Sequence, residues 1–229
     1  MSNTNRLARV CLPLSVLLLA AGCATSTPPK TSGFLPDYSR LQQQAAPGGG
    51  TRLVYQNPRF TPAHYQAIKL DPVQYYPKPQ PSADVSMETL TKIRQAVDKS
   101  LRQKLGQQVR LVDRAGPGVA HVRVAVTAVG SETRSLKAYQ FIPVALVITG
   151  AKAAAQGGLP KDATIALETS VTDSESGELL YAGVRGGTGE RIEEAAQGKG
   201  GVQLSDLQPL IDEWSAGAAS SIRRYVKGK

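Results

Sequence analysis

The clearest hydrophobic pattern in the chain lies between residues 87 and 105. Apolar side chains recur there at steps of three or four positions, which is the spacing of one face of an α-helix. These side chains are Leu90, Ile93, Val97, Leu101 and Leu105. Ser86 precedes the pattern and Gly106 directly follows it. The sequence therefore predicts a helix with Ser86 as its N-cap and Gly106 as the residue that ends it.

A second helical pattern occupies residues 205–226 near the end of the chain. Its apolar residues are Leu207, Leu210, Ile211, Trp214, Ala218, Ile222 and Tyr225. Residues 223–229 that follow are rich in lysine and arginine, which suits the negative end of a helix dipole. This basic end therefore gives no reason to predict a nucleic-acid partner.

Strand patterns fill the segments before and between the two helices. In residues 120–129 the even positions, from Ala120 to Ala128, form one apolar face, which predicts a half-buried strand. Residues 163–172 and 179–184 predict a β-hairpin, because an acidic turn with Gly177 joins them. Residues 52–55, 67–75 and 108–112 also predict strands, and Pro72 indicates an edge or a bulge.

These elements predict an α+β fold, with two amphipathic helices packed on a mainly antiparallel sheet. One apolar excursion between strands interrupts the pattern, since residues 138–151 carry no charge. This segment is too short to span a bilayer, which requires about 20 residues. A buried helix, an excursion packed on the sheet, a subunit interface and a segment lying on the membrane remain open for residues 141–151.

The first 23 residues have the pattern of a secretory signal. Arg6 and Arg9 precede an apolar run over residues 10–20, and small residues then lead to Cys23. Residues 18–23, Leu-Leu-Ala-Ala-Gly-Cys, resemble the bacterial lipobox. That resemblance implies cleavage before Cys23 and acyl chains on it, which anchor the protein in a membrane. Ala24 in place of Asp favours, by the same resemblance, the outer membrane.

Three regions follow from these patterns. Residues 1–22 are predicted to be a lipoprotein signal peptide, 23–50 a lipidated N-terminus with an extended tether, and 51–229 a periplasmic α+β domain. Residues 42–50, Gln-Gln-Gln-Ala-Ala-Pro-Gly-Gly-Gly, predict a flexible loop. The tyrosines of the proline-rich arm, residues 28–81, predict that this arm wraps onto its own domain, with a ligand-binding aromatic strip as the alternative.

The formal net charge of +9 introduces a second function class. The outer face of the first predicted helix is basic, which suggests an anionic polymer or lipid headgroups as ligands. Its residues are Lys92, Arg94, Lys99, Arg102 and Lys104. A solvated surface is the alternative, because Glu88 and Asp98 on the same helix dilute the positive field.

No residue pattern predicts catalysis, a metal or a cofactor. His64 and His121 are far apart in the chain and lack the spacing of metal ligands. No G-x-S-x-G motif is present. Residues 186–189 are glycine-rich without the Gly-Lys-Ser/Thr of a phosphate loop. Glu190, Glu193 and Glu194 are interpreted as a solvated acidic turn. The sequence thus predicts a protein that is not an enzyme, and it identifies no small-molecule substrate.

Residues 32–41, Ser-Gly-Phe-Leu-Pro-Asp-Tyr-Ser-Arg-Leu, resemble the opening of a proteobacterial lipoprotein family catalogued only as a domain of unknown function. Residues 141–144, 172–180 and 212–215 are similar to its later landmarks. The resemblance implies a lipid-anchored envelope protein and no defined reaction. The first hypothesis is therefore a domain that binds an envelope protein partner or forms a homo-oligomer. The alternatives are a module for anionic polymer or headgroups, and a cell-envelope hydrolase.

We predict that Cys23→Ser blocks lipid incorporation, because the hydroxyl group cannot accept the diacylglyceryl group that the thiol carries. Uncleaved precursor should accumulate, and metabolic labelling with palmitate should give no labelled band. Cys11→Ser is the matched control and should label normally, since Cys11 lies within the segment that cleavage removes. Normal labelling of the Cys23→Ser protein would contradict the predicted anchor.

Overall fold

The computed structural model describes residues 31–47, 49–133, 161–192 and 201–229. Cys23, Glu193, Glu194 and residues 141–151 lie outside these ranges. The strands are β1 (Gln42–Ala45), β2 (Thr51–Gln56), β3 (Ala67–Leu70), β4 (Gln74–Tyr75), β5 (Leu111–Val112), β6 (Val119–Thr133), β7 (Lys161–Asp173) and β8 (Leu179–Ile192). The helices are α1 (Met87–Gln108) and α2 (Leu204–Ile222).

The described strands form a single mixed sheet in the order β1-β2-β8-β7-β6-β3-β5, with β4 also paired to β6. The pairs from β1 to β6 along this order are antiparallel. The short strands β3, β4 and β5 add parallel pairs at the other side. The two helices pack side by side on one face of this sheet, and the predicted α+β class is confirmed.

Helix α1 begins where its sequence predicts. The Oγ atom of Ser86 accepts a hydrogen bond from the backbone N–H of Thr89 at 3.0 Å, which caps the first turn. The predicted apolar stripe from Leu90 to Leu105 is buried. The predicted end at Gly106 is wrong, because the helix continues to Gln108. Val109 is fully buried and its N–H binds the Leu105 carbonyl, so the helix extends until this apolar residue enters the core.

Helix α2 starts at a reciprocal cap, in which a carboxylate oxygen of Asp206 accepts from the N–H of Gln203 at 2.8 Å. It ends at Ile222, four residues before the predicted end. The backbone N–H groups of Arg224 and Tyr225 donate to the carbonyl groups three residues earlier, which forms a turn after the helix. The ring of Tyr225 stacks on Phe60 with centroids 4.8 Å apart. Packing of this aromatic residue therefore ends the helix early.

The glycine-rich run at residues 186–189, which lacked the complete motif of a phosphate loop, lies inside β8. A methyl group on Gly187 would lie 2.5 Å from an atom of the Trp214 ring, and one on Gly189 would lie 2.3 Å from the Asp206 carbonyl. These glycines therefore let α2 approach the sheet closely.

Strand β6 follows its predicted alternation only in part. Ala120, Val122, Val124 and Val126 face the core as expected. A shift in the β6–β7 register between Val126 and Ala128 then moves the alternation by one position. Ala128 thus leaves the predicted apolar face, while Val129 packs against the core.

The predicted hairpin is confirmed as β7 and β8. In its turn a carboxylate oxygen of Asp173 accepts from the backbone N–H groups of Glu175 and Ser176, and Gly177 adopts a φ of 72°. The hydrogen bond from the Ser176 N–H, together with the weaker contacts in the turn, lowers the pKa of Asp173.

The predicted loop at residues 42–50 is wrong for its first half, because Gln42–Ala45 forms β1 on the edge of the sheet. All four side chains are exposed. The strand forms by backbone pairing with β2, and its sequence has no hydrophobic pattern from which a strand could be predicted. The predicted single strand at residues 67–75 is wrong, because Pro72 lies between β3 and β4 and belongs to neither. Strand β3 also lies between β6 and β5 rather than at an edge of the sheet.

Residues 31–41 of the N-terminal arm wrap over the sheet face opposite the helices, as the sequence predicted, whereas later parts of the predicted arm form β1 to β4 of the sheet. Phe34 and Leu35 are buried there against Ala125, Ala182 and Val184. Among the described residues, no helix has the length and apolarity that crossing a bilayer requires.

A buried hydrogen bond holds the arm in place. The hydroxyl group of Tyr38 donates to Oε2 of Glu168 at 2.6 Å and accepts from the backbone N–H groups of Gly33 and Leu35 at 3.1 Å. Glu168 has no solvent exposure, and its Oε1 atom has no hydrogen-bond partner. Burial therefore raises the pKa of Glu168, although the hydrogen bond from Tyr38 opposes this effect.

We predict that Tyr38→Phe lowers the free energy of unfolding by about 1–3 kcal/mol, because it leaves the buried Glu168 oxygen without its donor. Chemical denaturation checks this value. Tyr55→Phe is the matched control, since the hydroxyl group of Tyr55 contacts only the exposed Arg40. That control should change stability by less than about 0.5 kcal/mol. Equal effects of the two substitutions would show that the Tyr38 hydrogen bond does not hold the arm.

We also predict a pH dependence for Glu168→Gln. Its free energy of unfolding, relative to that of the native protein, should increase as the pH rises above 4.5, which is the ordinary pKa of a glutamate side chain. Between that value and the raised folded pKa, the folded protein binds more protons than the unfolded chain, so native stability falls with pH. Glu88→Gln is the control with the opposite sign, because a hydrogen bond from Lys92 lowers the pKa of Glu88. Denaturation at a series of pH values measures both differences, and a flat difference for Glu168→Gln would contradict the prediction.

Candidate binding cavity under the second helix

A cavity of about 210 Å³ lies between the sheet and the two helices. Its deep wall is apolar and comes from α1 and the central strands. The residues of that wall include Phe60, Ile68, Val97, Leu101, Leu105, Val122, Val124 and Ile211. Among the described residues, no lysine, aspartate or glutamate lines the cavity. This volume therefore offers dispersion contacts rather than hydrogen bonds along most of its length.

Small residues leave this volume unfilled. Helix α2 lines the cavity with Ser215, Gly217, Ala218 and Ser221, none of which reaches across to the sheet. On β8, Gly183 leaves room for the Tyr181 ring, whose hydroxyl oxygen would lie 2.7 Å from a methyl group at that position. The cavity is thus the space that larger side chains at these positions would occupy.

One side of the cavity carries a pair of arginines. Arg52 of β2 and Arg185 of β8 are register partners on adjacent antiparallel strands, and both line the cavity. The guanidinium group of Arg185 lies over the Trp214 ring, 4.4 Å from its centroid. It donates to the Pro47 carbonyl at 2.6 Å and to Glu213 at 3.5 Å. Arg185 is therefore held rigidly beside the cavity.

One arginine of this pair and the neighbouring tryptophan each have a buried N–H donor that meets no acceptor among the described residues. These donors are Nε of Arg52 and Nε1 of Trp214, a residue with only 6% of its surface exposed. Neither group can act as an acceptor, so each needs an oxygen or similar atom from elsewhere. Burial, and after it the positive charge of Arg52, lower the pKa of Arg185, while the Glu213 carboxylate opposes this shift. The site thus has donors and positive charge in excess of its own acceptors.

The basic face of α1, which the sequence predicted as a possible anion-binding surface, is paired in part. Lys92 contacts Glu88 at 2.6 Å and Arg102 contacts Asp98 at 2.9 Å. Arg102 also donates to the Leu70 carbonyl. Two of the five basic side chains on this face are therefore in ion pairs, and an anion-binding role for the face stays a prediction from the sequence.

The candidate catalytic residues are not brought together at the cavity. His121 is partly buried, with Nε2 at 2.8 Å from Asp71 and 3.2 Å from the ammonium group of Lys69. His64 is exposed, and Glu190 is exposed on β8. Across the ranges that the structure describes, no three His, Cys, Asp or Glu side chains could hold a metal ion.

Sequence reasoning missed Arg52 and Arg185. The available signal was their position in the strands. Arg52 is two residues from Val54, and Arg185 is two residues from Gly183, so all four share the sheet face under the helices. Charged residues at inward-facing positions are unusual. Their proximity could not be read from the chain, because it depends on the pairing of β2 with β8.

Residues 30–218 match the family described as "Protein of unknown function (DUF3313)". The chain belongs to this family. It is 30% identical to the uncharacterized lipoprotein YdcL of Escherichia coli K12 over 204 residues, which cover 88% of this chain and 90% of that protein. The resemblance that residues 32–41 carried in the sequence is thereby confirmed.

Two solved structures are more distantly similar. A PelC dodecamer from Paraburkholderia phytofirmans shares 10% identity at a TM-score of 0.34, covering 77% of this chain and 96% of its own. A putative neuraminyllactose-binding hemagglutinin homolog from Helicobacter pylori shares 9% identity at a TM-score of 0.33, covering 71% and 82%. At these scores the similarity establishes no property of the DUF3313 protein.

We predict that Arg52→Gln raises the free energy of unfolding of the delipidated protein by about 0.2–1 kcal/mol, because it removes a like charge directly opposite Arg185. Thermal denaturation in low salt measures the change. Arg114→Gln is the charge-matched control on an exposed residue and should leave stability within about 0.5 kcal/mol. Destabilisation by Arg52→Gln would contradict the interpretation that the pair repels.

Proposed function

We propose that this protein is a non-catalytic, lipid-anchored component of the bacterial envelope whose domain binds a molecule with an apolar chain in the cavity under α2. The single observation that carries the proposal is the cavity itself, which has an apolar wall and a cationic side. The function belongs to the class of ligand-binding proteins rather than enzymes.

The anchor is supported by two lines of evidence. Residues 18–23 resemble a lipobox that ends at Cys23, and the chain is homologous over nearly its whole length to a protein described as a lipoprotein. We propose that acyl chains on Cys23 hold the protein at the outer membrane, with its domain in the periplasm. The domain would thus lie beside a source of amphipathic molecules.

The size and chemistry of the cavity favour an alkyl or acyl chain. An apolar cavity of about 150 Å³ is sufficient to bind benzene, and this cavity is larger, at about 210 Å³. Each methylene group that enters it would contribute roughly 0.8 kcal/mol by leaving water. A polar polymer would gain nothing from walls formed by Val97, Leu101 and Val124, so the structure favours a lipid-like ligand.

A binding role is also consistent with the polar groups near the cavity. Arg52, Arg185 and the Trp214 indole are donors, and the described lining residues include no histidine or carboxylate that could act as a base beside them. Donors of this kind orient a ligand but cannot remove a proton from it. A homo-oligomer or an envelope protein partner stays a prediction from the sequence, since its candidate contact at residues 141–151 lies outside the described residues.

The fluorescence of Trp214 tests the proposal directly, because it is the one tryptophan in the sequence and it lines the cavity. We expect bromoundecanol, a neutral chain that carries a fluorescence-quenching bromine, to quench this emission saturably. The titration should be made below the concentration at which the probe aggregates.

Gly217→Leu should abolish this saturable quenching. A methyl group at Gly217 meets no atom within 4 Å, so the leucine has room to enter the cavity, and removal of a helix-interior glycine should leave stability unchanged or higher. Ala216→Leu adds the same side chain to the exposed face of α2 and should bind the probe normally. Quenching that is absent in the native protein, or that persists unchanged in Gly217→Leu, would overturn the proposed function.

A further inference from the structure

We propose that the ligand of the cavity carries an oxyanion, a carboxylate or a phosphate monoester, which binds between Arg52 and Arg185 while its chain lies in the apolar part. This inference rests on the proposed function and adds to it the chemical class of the ligand. The neighbourhood of the two arginines supplies the argument.

The first observation is that the two arginines are neighbours on adjacent strands and line the same cavity. Arg52 and Arg185 are direct register partners, a placement that brings like charges together and is unfavourable without a counter-ion. Arg185 is fixed by Pro47, Glu213 and the Trp214 ring. An oxyanion between the two guanidinium groups would convert this repulsion into two charge-assisted interactions.

The second observation is the pair of unsatisfied donors. Nε of Arg52 and Nε1 of Trp214 are buried without an acceptor, and such groups are rare because each carries a desolvation penalty. A neutral alkyl chain would leave both donors unsatisfied. Both residues line the cavity, and the oxygens of a carboxylate or phosphate are acceptors, which an alkyl chain lacks.

The third observation is the balance of charge around the cavity. The lining contains Arg52, Arg185 and Arg224 and no carboxylate. The nearest acid to the pair is Glu213, which contacts Arg185 only at 3.5 Å and whose side chain is 52% exposed. Water screens such an exposed carboxylate effectively. The charges that face the site from β2, β8 and the end of α2 therefore favour an anion.

A matched pair of probes isolates the contribution of the head group. Bromoundecanoate and bromoundecanol share one chain and differ in the charge of the head, and both quench Trp214 when they occupy the cavity. In the native protein we expect the carboxylate to bind about tenfold or more tightly than the alcohol, and this preference should shrink as salt is added. Competition by undecyl phosphate then distinguishes a phosphate-preferring site from a carboxylate-preferring one.

Arg52→Gln should reduce the preference for the carboxylate over bromoundecanol to near unity, because the lost positive charge attracts the carboxylate and not the neutral alcohol. This variant is informative because Arg52 forms no ion pair with another described residue, so its loss disrupts no native contact of that kind. Arg114→Gln removes the same charge from an exposed position and should retain the full preference.

The outcomes separate the inference from the function on which it rests. Equal binding of the carboxylate and the alcohol to the native protein would overturn the oxyanion site, as would an Arg52→Gln variant that keeps the preference. In either case saturable binding of bromoundecanol that Gly217→Leu blocks would still support the cavity as a chain-binding site. Failure of both probes to bind would overturn the proposed function itself.

Discussion

The constraint on which this structure depends is that its sheet is apolar on both faces, so both faces must be covered. The inner face, which carries Ile68, Val122 and Leu180, packs under the two helices. The outer face, which carries Ala125, Ala182 and Val184, packs under the N-terminal arm. Residues 31–41 of the arm form neither helix nor strand, so their position depends on Phe34, Leu35 and the hydrogen bond from Tyr38 to Glu168. The same motif that marks the family in the sequence is therefore the part of the chain that closes the outer face.

The inner face is covered without being filled, and this difference gives the domain its candidate function. Helix α2 lines the cavity with the small residues Ser215, Gly217, Ala218 and Ser221, where larger side chains would narrow it. The cavity and the opposed arginines each reduce the stability of the empty protein, the first through lost dispersion contacts and the second through repulsion. Features that cost stability in the free state and that a ligand could relieve are typical of binding sites. The anchor at Cys23 and the cavity would then act together, since one holds the domain at a membrane and the other accepts the kind of molecule a membrane contains.

Much of the fold could be predicted because its signals are local. The stripe from Leu90 to Leu105 and the cap at Ser86 define α1, and the acidic turn with Gly177 defines the β7–β8 hairpin. The errors occur where tertiary contacts override a local signal. Burial of Val109 carries α1 past Gly106, stacking of Tyr225 on Phe60 ends α2 early, and pairing with β2 turns the polar Gln42–Ala45 segment into a strand. Gly187 and Gly189 belong to a glycine-rich run of the kind that often forms a loop. In the structure they lie in a strand, where the absence of a side chain lets the Trp214 ring and the start of α2 pack closely against it.

By itself the sequence determined the α+β class, the order of most elements and the signal for lipidation at Cys23, because helical periodicity, strand alternation and a lipobox are each read from neighbouring residues. Only the tertiary structure decided which residues form the candidate site. Arg52 and Arg185 are separated by more than a hundred positions, and their proximity exists because β2 pairs with β8 rather than with its neighbours in the chain. The cavity likewise depends on how closely α2 approaches the sheet, which is set by the summed volumes of side chains from three layers. No local pattern records that sum.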